Sequence, residues 1–337
     1  MDLTFLPFLW FQLVVLALII VLAATYLTKS ADVIAFKTGL GRSFVGLVLL
    51  ATATSLPELG TGLTSVISIS GYDGVNLAAG DLFGSNIFNL LIIGLLAILW
   101  KDASIFKSVT KNVIPMGIFG ILLGFISIVG ILIHRNFTFM ETFLISPISI
   151  ILIGIFVFSM YYIYKNGHNP DSLVDEEPYT QDSLFRASVL YGISAFIVVV
   201  AAIFLVQTAD SLSIKMNWEH GFVGTQFLAV CTSLPELAAS IAAIRIMAPQ
   251  LAITNLLGSN IFNMGVVLFM DDIFYLNAPI WEMFSYIHLL TALMTIIMTT
   301  IVLLPIVNNK IMVRFYIQPM ILISLYVITS LVVFIMV

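Results

Sequence analysis

The stretch SFVGLVLLATATSLPEL at residues 43–59 returns as GFVGTQFLAVCTSLPEL at residues 221–237. Each copy is an apolar run that ends in the pentapeptide TSLPE and a leucine. A second motif, GSNIFN, follows each copy, first from Gly84 and then from Gly258. Two motifs repeated in the same order at nearly the same separation indicate that the chain contains two copies of one structural unit.

The composition is that of a membrane protein. Hydrophobic residues make up 61% of the 337 residues and charged residues only 9%, whereas a soluble domain carries about 25% charged residues. Several apolar stretches run for about 20 residues, the length that a helix needs to cross about 30 Å of hydrocarbon. They lack the alternating pattern of a membrane barrel, so the spans are predicted to be helices. The predicted fold class is therefore an all-α integral membrane protein.

Ten transmembrane helices are predicted from the apolar runs. Their approximate ranges are 7–36, 43–70, 75–100, 111–133, 141–164, 186–214, 221–246, 249–270, 285–306 and 313–336. Alternate loops share a side, and of the 13 lysines and arginines only Arg135 and Lys215 fall on the second side. Because cytoplasmic loops are enriched in these residues, we expect a multi-pass cell-membrane protein with both termini extracellular and the central loop cytoplasmic.

The two repeats are predicted to have opposite orientations in the membrane. The first five-helix repeat occupies residues 1–165, a cytoplasmic linker occupies 166–185, and the second five-helix repeat occupies 186–337. Because each repeat has an odd number of spans, the second repeat enters the membrane from the opposite side. Inverted repeats are the architecture of secondary transporters, which bind their ions near the midplane between the repeats.

Two glutamates occupy matched positions in the repeats. Glu58 and Glu236 lie near the middle of the predicted second and seventh spans. A carboxylate at that depth costs at least ~2.5 kcal/mol on insertion, so it normally lines an ion path or a polar interior. The alternative for a single residue of this kind is a protonated glutamate bonded to a neighbouring helix. The matched pair favours the ion path.

Hydroxyl and carbonyl groups are expected beside each glutamate. The residues four and three positions before it share its helix face. They are Thr54 and Ser55 in the first repeat and Thr232 and Ser233 in the second. The proline directly before each glutamate removes a backbone donor and frees a carbonyl. In lipid such a break persists where the freed groups face protein, water or an ion; the alternative is a simple packing kink.

The GSNIFN motifs add further oxygen atoms. The serine and the last asparagine of each motif lie four residues apart and share a helix face. These pairs are Ser85 with Asn89 and Ser259 with Asn263. Carboxylates, amides, hydroxyls and carbonyls form a hard, all-oxygen set, which suits calcium and sodium and does not suit soft transition metals. The only cysteine is Cys231, the four histidines are scattered, and no basic patch suggests nucleic acid.

The paired TSLPE and GSNIFN motifs resemble the alpha repeats of the cation/calcium exchanger superfamily, most closely those of the prokaryotic sodium/calcium exchangers. The resemblance covers about residues 30–100 and 208–270. It implies a secondary antiporter, and not an enzyme, that exchanges Ca²⁺ for Na⁺ by alternating access. The first and sixth helices would slide across a static core. We expect a protein that works as a monomer in the lipid bilayer and needs no cofactor besides its transported ions.

The resemblance also implies a set of ion ligands. Glu58 and Glu236 would be the central ones. The other members are the side chains of Thr54, Ser55, Thr232, Ser233, Ser85, Asn89, Ser259 and Asn263, and the carbonyls of Ala51 and Ala229.

The chain departs from the family at Asn263, where prokaryotic sodium/calcium exchangers often carry aspartate. The site then keeps two carboxylates, which still neutralise one calcium ion. Asp81 lies four residues before Ser85, where the second repeat has Asn255, and is a candidate for a compensating ion contact. The alternative for Asp81 is an acid near a helix N-terminus, favoured by the macrodipole and close to water.

The main alternative function is exchange of calcium, or of another cation, for protons. The sodium branch is favoured by the resemblance and by an expected lack of other buried acids that could relay protons. An ion channel could use the same ligands, but inverted repeats around a midplane site argue against a continuous pore. An intramembrane protease would need paired aspartates or an H-E-x-x-H zinc helix, and the sequence offers neither.

Overall fold

The computed structural model of the chain describes residues 5–38, 52–100, 105–107, 109, 111–137, 143–166, 183–245, 247–276, 278–307 and 317–336. Helices make up almost all of this part of the chain, and no strand occurs in it. Nine helices within the described residues are long and apolar enough to cross a membrane. The protein is therefore an all-helical, multi-pass membrane protein.

The helices are numbered α1 to α11 in chain order. Those of the first half are α1 Leu6–Thr38, α2 Leu56–Ser68, α3 Gly71–Leu99, α4 Ile114–Asn136 and α5 Pro147–Asn166. In the second half, α6 is Leu184–Met216, and α7 combines His220–Val223, a π-helical turn Gly224–Leu228 and Ala229–Thr232. Helix α8 is Leu234–Arg245, and α9 combines Pro249–Phe262, a π-helical turn Asn263–Val267 and Leu268–Tyr275. The last two are α10 Tyr286–Val307 and α11 Ile317–Ile335.

Most predicted spans coincide with a helix to within a few residues. The predicted second span, 43–70, lies within the described residues only from 52 onward, where α2 begins at Leu56. The fifth span begins at Pro147 and not at 141. The side-chain oxygen of Ser146 accepts the backbone N–H of Ile148 at 3.0 Å and so caps the start of this helix.

The predicted end of the eighth span at 270 was wrong, because α9 continues through two aspartates to Tyr275. An acidic pair normally marks the polar end of a span, but here both side chains are buried. Asp272 accepts the backbone N–H groups of Ser146 and Ile280, at 2.8 and 2.9 Å. The two bonds hold the chain just before α5 and the connection that follows α9. This role explains why Asp272 points inward.

Helices α3 and α9 form the centre of the molecule, because they are the most deeply buried of the long helices. Helix α3 crosses α7 closely at Gly80 and Gly84. A Cβ atom on Gly84 would lie 2.8 Å from both Cα and the carbonyl oxygen of Thr225 and 2.7 Å from Cβ of Ala229. Glycine at this position therefore lets the two halves of the chain come into backbone contact, as small residues do in membrane proteins.

The two longest helices pack against each other at the periphery. Helices α1 and α6 each contain 33 residues, in agreement with the predicted spans 7–36 and 186–214, which are the two longest of the ten. Near one end of α6, Asp210 accepts a 2.8 Å contact from the His220 imidazole. The other ring nitrogen of His220 lies 3.3 Å from Asp73 at the start of α3. His220 thus links the peripheral α6 to the central α3.

The close crossing of α3 and α7 makes Gly84→Ala a test of the fold. The added methyl group would meet backbone atoms that cannot rotate away, so overpacking should cost about 1–3 kcal/mol. We expect a lower thermal unfolding midpoint for the variant purified in detergent. Gly192→Ala is the matched control, because a Cβ atom there meets nothing within 4 Å. Equal midpoints for the two variants would contradict the contact described here.

Candidate cation-binding site

The helix is interrupted directly before each of the two glutamates. Ser55 and Ser233 have nearly identical non-helical backbone angles, with φ −91° and ψ 9° at Ser55 and φ −89° and ψ 5° at Ser233. The proline two residues later has no N–H group to donate to the carbonyl four residues before it. These breaks, predicted from the prolines, turn the chain so that each glutamate lies in the first turn of a new helix, α2 or α8.

Each glutamate is buried and accepts a hydrogen bond from a serine of the other half. Glu58 is 1% exposed and Glu236 is fully buried. The Ser233 hydroxyl donates to Oε1 of Glu58 at 3.1 Å. In the matching contact, the Ser55 hydroxyl lies 3.5 Å from Oε1 of Glu236. The two TSLPE motifs therefore meet, and each contributes a hydroxyl to the glutamate of its counterpart.

The serines of the GSNIFN motifs contact the threonines of the opposite TSLPE motifs. The Thr54 and Ser259 hydroxyl oxygens lie 3.3 Å apart, and the Ser85 and Thr232 hydroxyl oxygens are also 3.3 Å apart. Ser259 also donates to Oε1 of Glu236 at 3.2 Å. All four hydroxyl groups are buried. This second pair of matching contacts brings α3 and α9 to the two glutamates.

A third pair of matching contacts uses the two asparagines inside each GSNIFN motif. The Asn89 amide donates to Oδ1 of Asn260 at 3.0 Å, and the Asn263 amide approaches Oδ1 of Asn86 at 3.3 Å. Asn260 also donates to the Asn86 carbonyl at 3.1 Å. Asn86 and Asn260 were not singled out from the sequence, although both lie in the repeated motif. Their contacts fix the amide nitrogens of Asn89 and Asn263.

Four buried side-chain oxygens at this place lack a hydrogen bond within the described part of the chain. They are Oε2 of Glu58, Oε2 of Glu236, Oδ1 of Asn89 and Oδ1 of Asn263. Buried polar atoms without a partner are uncommon in folded proteins and call for an explanation. These four are all acceptors, and each half of the chain contributes one carboxylate and one amide oxygen. Such a set fits a hard cation.

Asp81 belongs to the same buried network. It is only 1% exposed. One of the two interpretations of Asp81 from the sequence was a hydrated acid near a helix N-terminus. That interpretation is wrong, because Asp81 lies well inside α3 and its carboxylate accepts hydroxyl groups of Thr232, at 2.8 Å, and of Thr61. Its counterpart Asn255 is also buried, and neither polar atom of that amide is hydrogen bonded among the described residues.

The predicted lack of further buried acids was also wrong. Asp271 and Asp272 in α9 are 1% and 0% exposed. No lysine or arginine side chain of the described residues is buried. The buried carboxylates of this protein are therefore not neutralised by basic side chains of the described chain.

Of the two alanines in the expected ligand set, only Ala229 belongs to the described residues. Ala51 lies outside the described residues. Ala229 is fully buried, and its carbonyl accepts the backbone N–H of Ser233 at 3.1 Å and lies 3.4 Å from the Thr232 hydroxyl. Across the described residues, no three side chains among His, Cys, Asp and Glu are grouped closely enough to hold a metal ion. A cation here would rely on neutral oxygens as well as carboxylates.

Comparison with known proteins agrees with this arrangement. The sequence matches the family described as "Sodium/calcium exchanger protein" over residues 8–165 and 187–336. It is 30% identical over 265 residues to the putative antiporter CaxA of Alkalimonas amylolytica, covering 77% of this chain and 78% of that protein.

Two solved structures share the fold. The H⁺/Ca²⁺ exchanger CAX has a TM-score of 0.69 at 14% identity, with 97% of this chain and 86% of that chain covered. The sodium-calcium exchanger NCX_Mj has a TM-score of 0.63 at 20% identity, with 96% and 98% covered. The family match spans both halves of the chain and includes every candidate ligand named above. The chain therefore belongs to the sodium/calcium exchanger family, within the cation/calcium exchanger superfamily.

Proposed function

We propose that this protein is an antiporter that exchanges Ca²⁺ for Na⁺ across the cell membrane by alternating access. Its ions would bind at the buried site between the two TSLPE and GSNIFN pairs. The observation that carries this proposal is the set of four unpartnered oxygens on Glu58, Glu236, Asn89 and Asn263. Two carboxylates balance the charge of one calcium ion, and neutral amide and hydroxyl oxygens complete a flexible oxygen shell.

The contacts of the site support an internal twofold relationship between the halves. Three kinds of contact between the halves occur twice with the motifs exchanged: serine to glutamate, serine to threonine and asparagine to asparagine. This is what two copies of one unit facing each other would produce. We infer ten spans in two inverted five-helix repeats, residues 1–165 and 186–337, joined by a cytoplasmic linker 166–185, with both termini extracellular. The distribution of lysine and arginine supports this orientation.

Helices α1 and α6 are the proposed moving elements. They lie at the periphery, pack against each other and carry many exposed apolar side chains. Among the described residues, the site residues lie on α2, α3, α7, α8 and α9 or at the helix breaks before α2 and α8, with none on α1 or α6. Sliding of the peripheral pair would therefore open one side of the site or the other without rebuilding it. One chain contains the whole site, so the protein would work as a monomer.

Exchange of calcium for protons is the second candidate function. The observation that favours it is the burial of Asp81 and Asp271, which adds acids to the interior beyond the two glutamates. The fold is also shared with a protein described as an H⁺/Ca²⁺ exchanger. Sodium remains the first proposal because the paired TSLPE and GSNIFN motifs resemble those of sodium/calcium exchangers.

Removal of either central carboxylate should abolish calcium transport. We expect Glu58→Gln and Glu236→Gln to reduce calcium uptake into proteoliposomes to the level of empty vesicles, because each keeps the side-chain shape and removes a charge that the cation must neutralise. Glu282→Gln, at an exposed position, is the control. Thermal midpoints near that of the parent would show that the variants fold. Uptake near the parental rate in either glutamine variant would rule out the proposed site.

The identity of the coupling ion is tested by the gradient that drives uptake. Proteoliposomes loaded with sodium and diluted into sodium-free calcium medium should take up calcium. Vesicles loaded with potassium at the same ionic strength should not. A pH gradient imposed without sodium should drive little uptake. Calcium flux that ignores sodium and follows the pH gradient would assign the protein to proton exchange.

An added acid at position 263 tests whether this residue shares the ion site. Asn263→Asp keeps the side-chain volume and puts a third carboxylate beside two others. Carboxylates that repel one another compete for protons as well as for the transported cation, so calcium uptake should fall more steeply with decreasing pH than in the parent. Asn166→Asp adds the same charge at an exposed position and serves as the control. Identical pH profiles for Asn263→Asp and the parent would place residue 263 outside the site.

A further inference from the structure

Asp271 in α9 is a buried acid that the central site does not use. It is 1% exposed, and its Oδ1 atom has no hydrogen-bond partner in the described part of the chain. Its carboxyl group lies against α2, where a Cβ atom on Gly62 would be 2.6 Å from Oδ1 and 2.8 Å from Oδ2. Gly62 has no side chain and so leaves room for this carboxyl group in its observed position. The first repeat has Ala97 at the position that matches Asp271, so the acid is peculiar to the second repeat.

The neighbouring Asp272 shows what a structural role would look like. Its two oxygens accept the backbone N–H groups of Ser146 and Ile280 and fix two connections of the chain. Asp271 makes no corresponding bond through Oδ1. An ionised carboxylate without a partner in an apolar interior is very costly. Packing of the fold therefore accounts for Asp272 and leaves Asp271 to be explained.

The face of α2 that Asp271 covers leads to the central site. Glu58, Gly62 and Ser65 are spaced by four and three residues and so lie on one side of that helix. The Ser65 hydroxyl is fully buried and, among the described residues, also lacks a hydrogen bond. Thr61, one position before Gly62, donates to Asp81. A polar stripe thus connects the surroundings of Asp271 with the two residues Glu58 and Asp81.

We propose that Asp271 is a second cation-binding position, separate from the central site, and that its ligand is a proton. A proton needs a single oxygen atom, whereas a metal ion needs several oxygens around it. The close approach to Gly62 leaves no space for an ion on that side of the carboxyl group. The carboxylic acid form, –COOH, is neutral and removes the cost of burying a charge.

Binding of calcium at the central site would release this proton. This step depends on the function proposed above. Asp81 accepts the Thr232 hydroxyl of the central site and the hydroxyl of Thr61, the residue directly before Gly62, so a change of charge at the central site reaches the surroundings of Asp271 through these bonds. Calcium neutralises the central carboxylates and weakens the negative field that retains the proton. When alternating access admits water to this face of α2, the O–H bond of Asp271 breaks, its electron pair stays on the carboxylate, which that water solvates, and the proton passes to the water.

The other titratable groups around Asp271 do not replace it in this role. The neighbouring Asp272 accepts two backbone N–H groups, and Asp81 accepts the hydroxyl groups of Thr61 and Thr232. Glu282, in the short turn Ile280–Met283 that packs against this end of α9, is exposed. The titratable residues of α5, Tyr161, Tyr162, Tyr164 and Lys165, lie towards the end of that helix opposite Pro147. Tyr275, one turn further along α9, donates its hydroxyl to the sulfur of Met283 at 3.2 Å.

The test counts the protons released when calcium binds. Full-length protein in detergent and weak buffer is titrated with calcium, bound calcium is measured by calorimetry, and released protons are followed with a pH indicator. Asp271→Asn should release up to about one proton fewer per calcium bound than the parent, because its amide has no acidic proton to lose. Glu282→Gln should match the parent. The infrared carbonyl band of a protonated carboxyl group in the calcium-free parent should be weaker in Asp271→Asn.

Each result has a definite meaning. Failure of the parent to bind calcium would reject the proposed function itself. Calcium binding with equal proton release in the parent and in Asp271→Asn would reject the proton at Asp271. Equal proton release together with a weaker dependence on sodium in Asp271→Asn would identify the ligand as sodium and also overturn the proposal. If Asp271→Asn does not fold, a calcium-free parent without the carboxylic acid band rejects it as well.

Discussion

The structure depends on the burial of several carboxylates in an apolar interior that contains no buried lysine or arginine among the described residues. Ionised groups in such surroundings are stable only with compensating charge and hydrogen bonds. The hydroxyls of Thr61, Thr232 and Ser233 provide part of the hydrogen bonding. Buried lysine or arginine of the described residues does not supply the positive charge, so bound cations are expected to supply it. This requirement connects the architecture to transport. The bound ions complete the charge of the site, so the free energy of the folded protein differs between its ion-bound and ion-free forms.

The contacts around the site divide into a symmetric centre and asymmetric flanks. At the centre, the serine–glutamate, serine–threonine and asparagine–asparagine contacts between the halves each occur twice with the repeats exchanged. Away from it the repeats differ: Asp81 corresponds to Asn255, Thr61 to Ala239 and Asp271 to Ala97. Identical centres allow either half to present the same ligands to an ion. The unequal flanks place buried acids on one side of the repeat alignment where the other repeat has neutral residues, so the surroundings of the centre are not symmetric in charge.

The sequence predicted that the residues of the two motifs lie together in the structure, because the motifs are repeated. Glu58 and Glu236 were found from the TSLPE motifs, and the breaks at Ser55 and Ser233 follow from the prolines. The mutual contacts of Asn86 and Asn260 could not be predicted, since periodicity does not tell which of two motif asparagines faces the other half. The burial of Asp271 was missed for a different reason. Two adjacent aspartates at the end of an apolar run are usually hydrated, and only the packing against Gly62 and the bonds to Asp272 show otherwise.

The length of α1 and α6 makes the thickness of the bilayer part of the energy balance of this protein. A helix of 33 residues is about 50 Å long at 1.5 Å per residue, against about 30 Å of hydrocarbon. The excess is taken up by tilt or by ends that leave the hydrocarbon. If the pair slides as proposed, each displacement changes how much apolar side chain meets lipid. Thin and thick membranes would then stabilise different positions of the pair, and lipid composition would influence which side of the site is open.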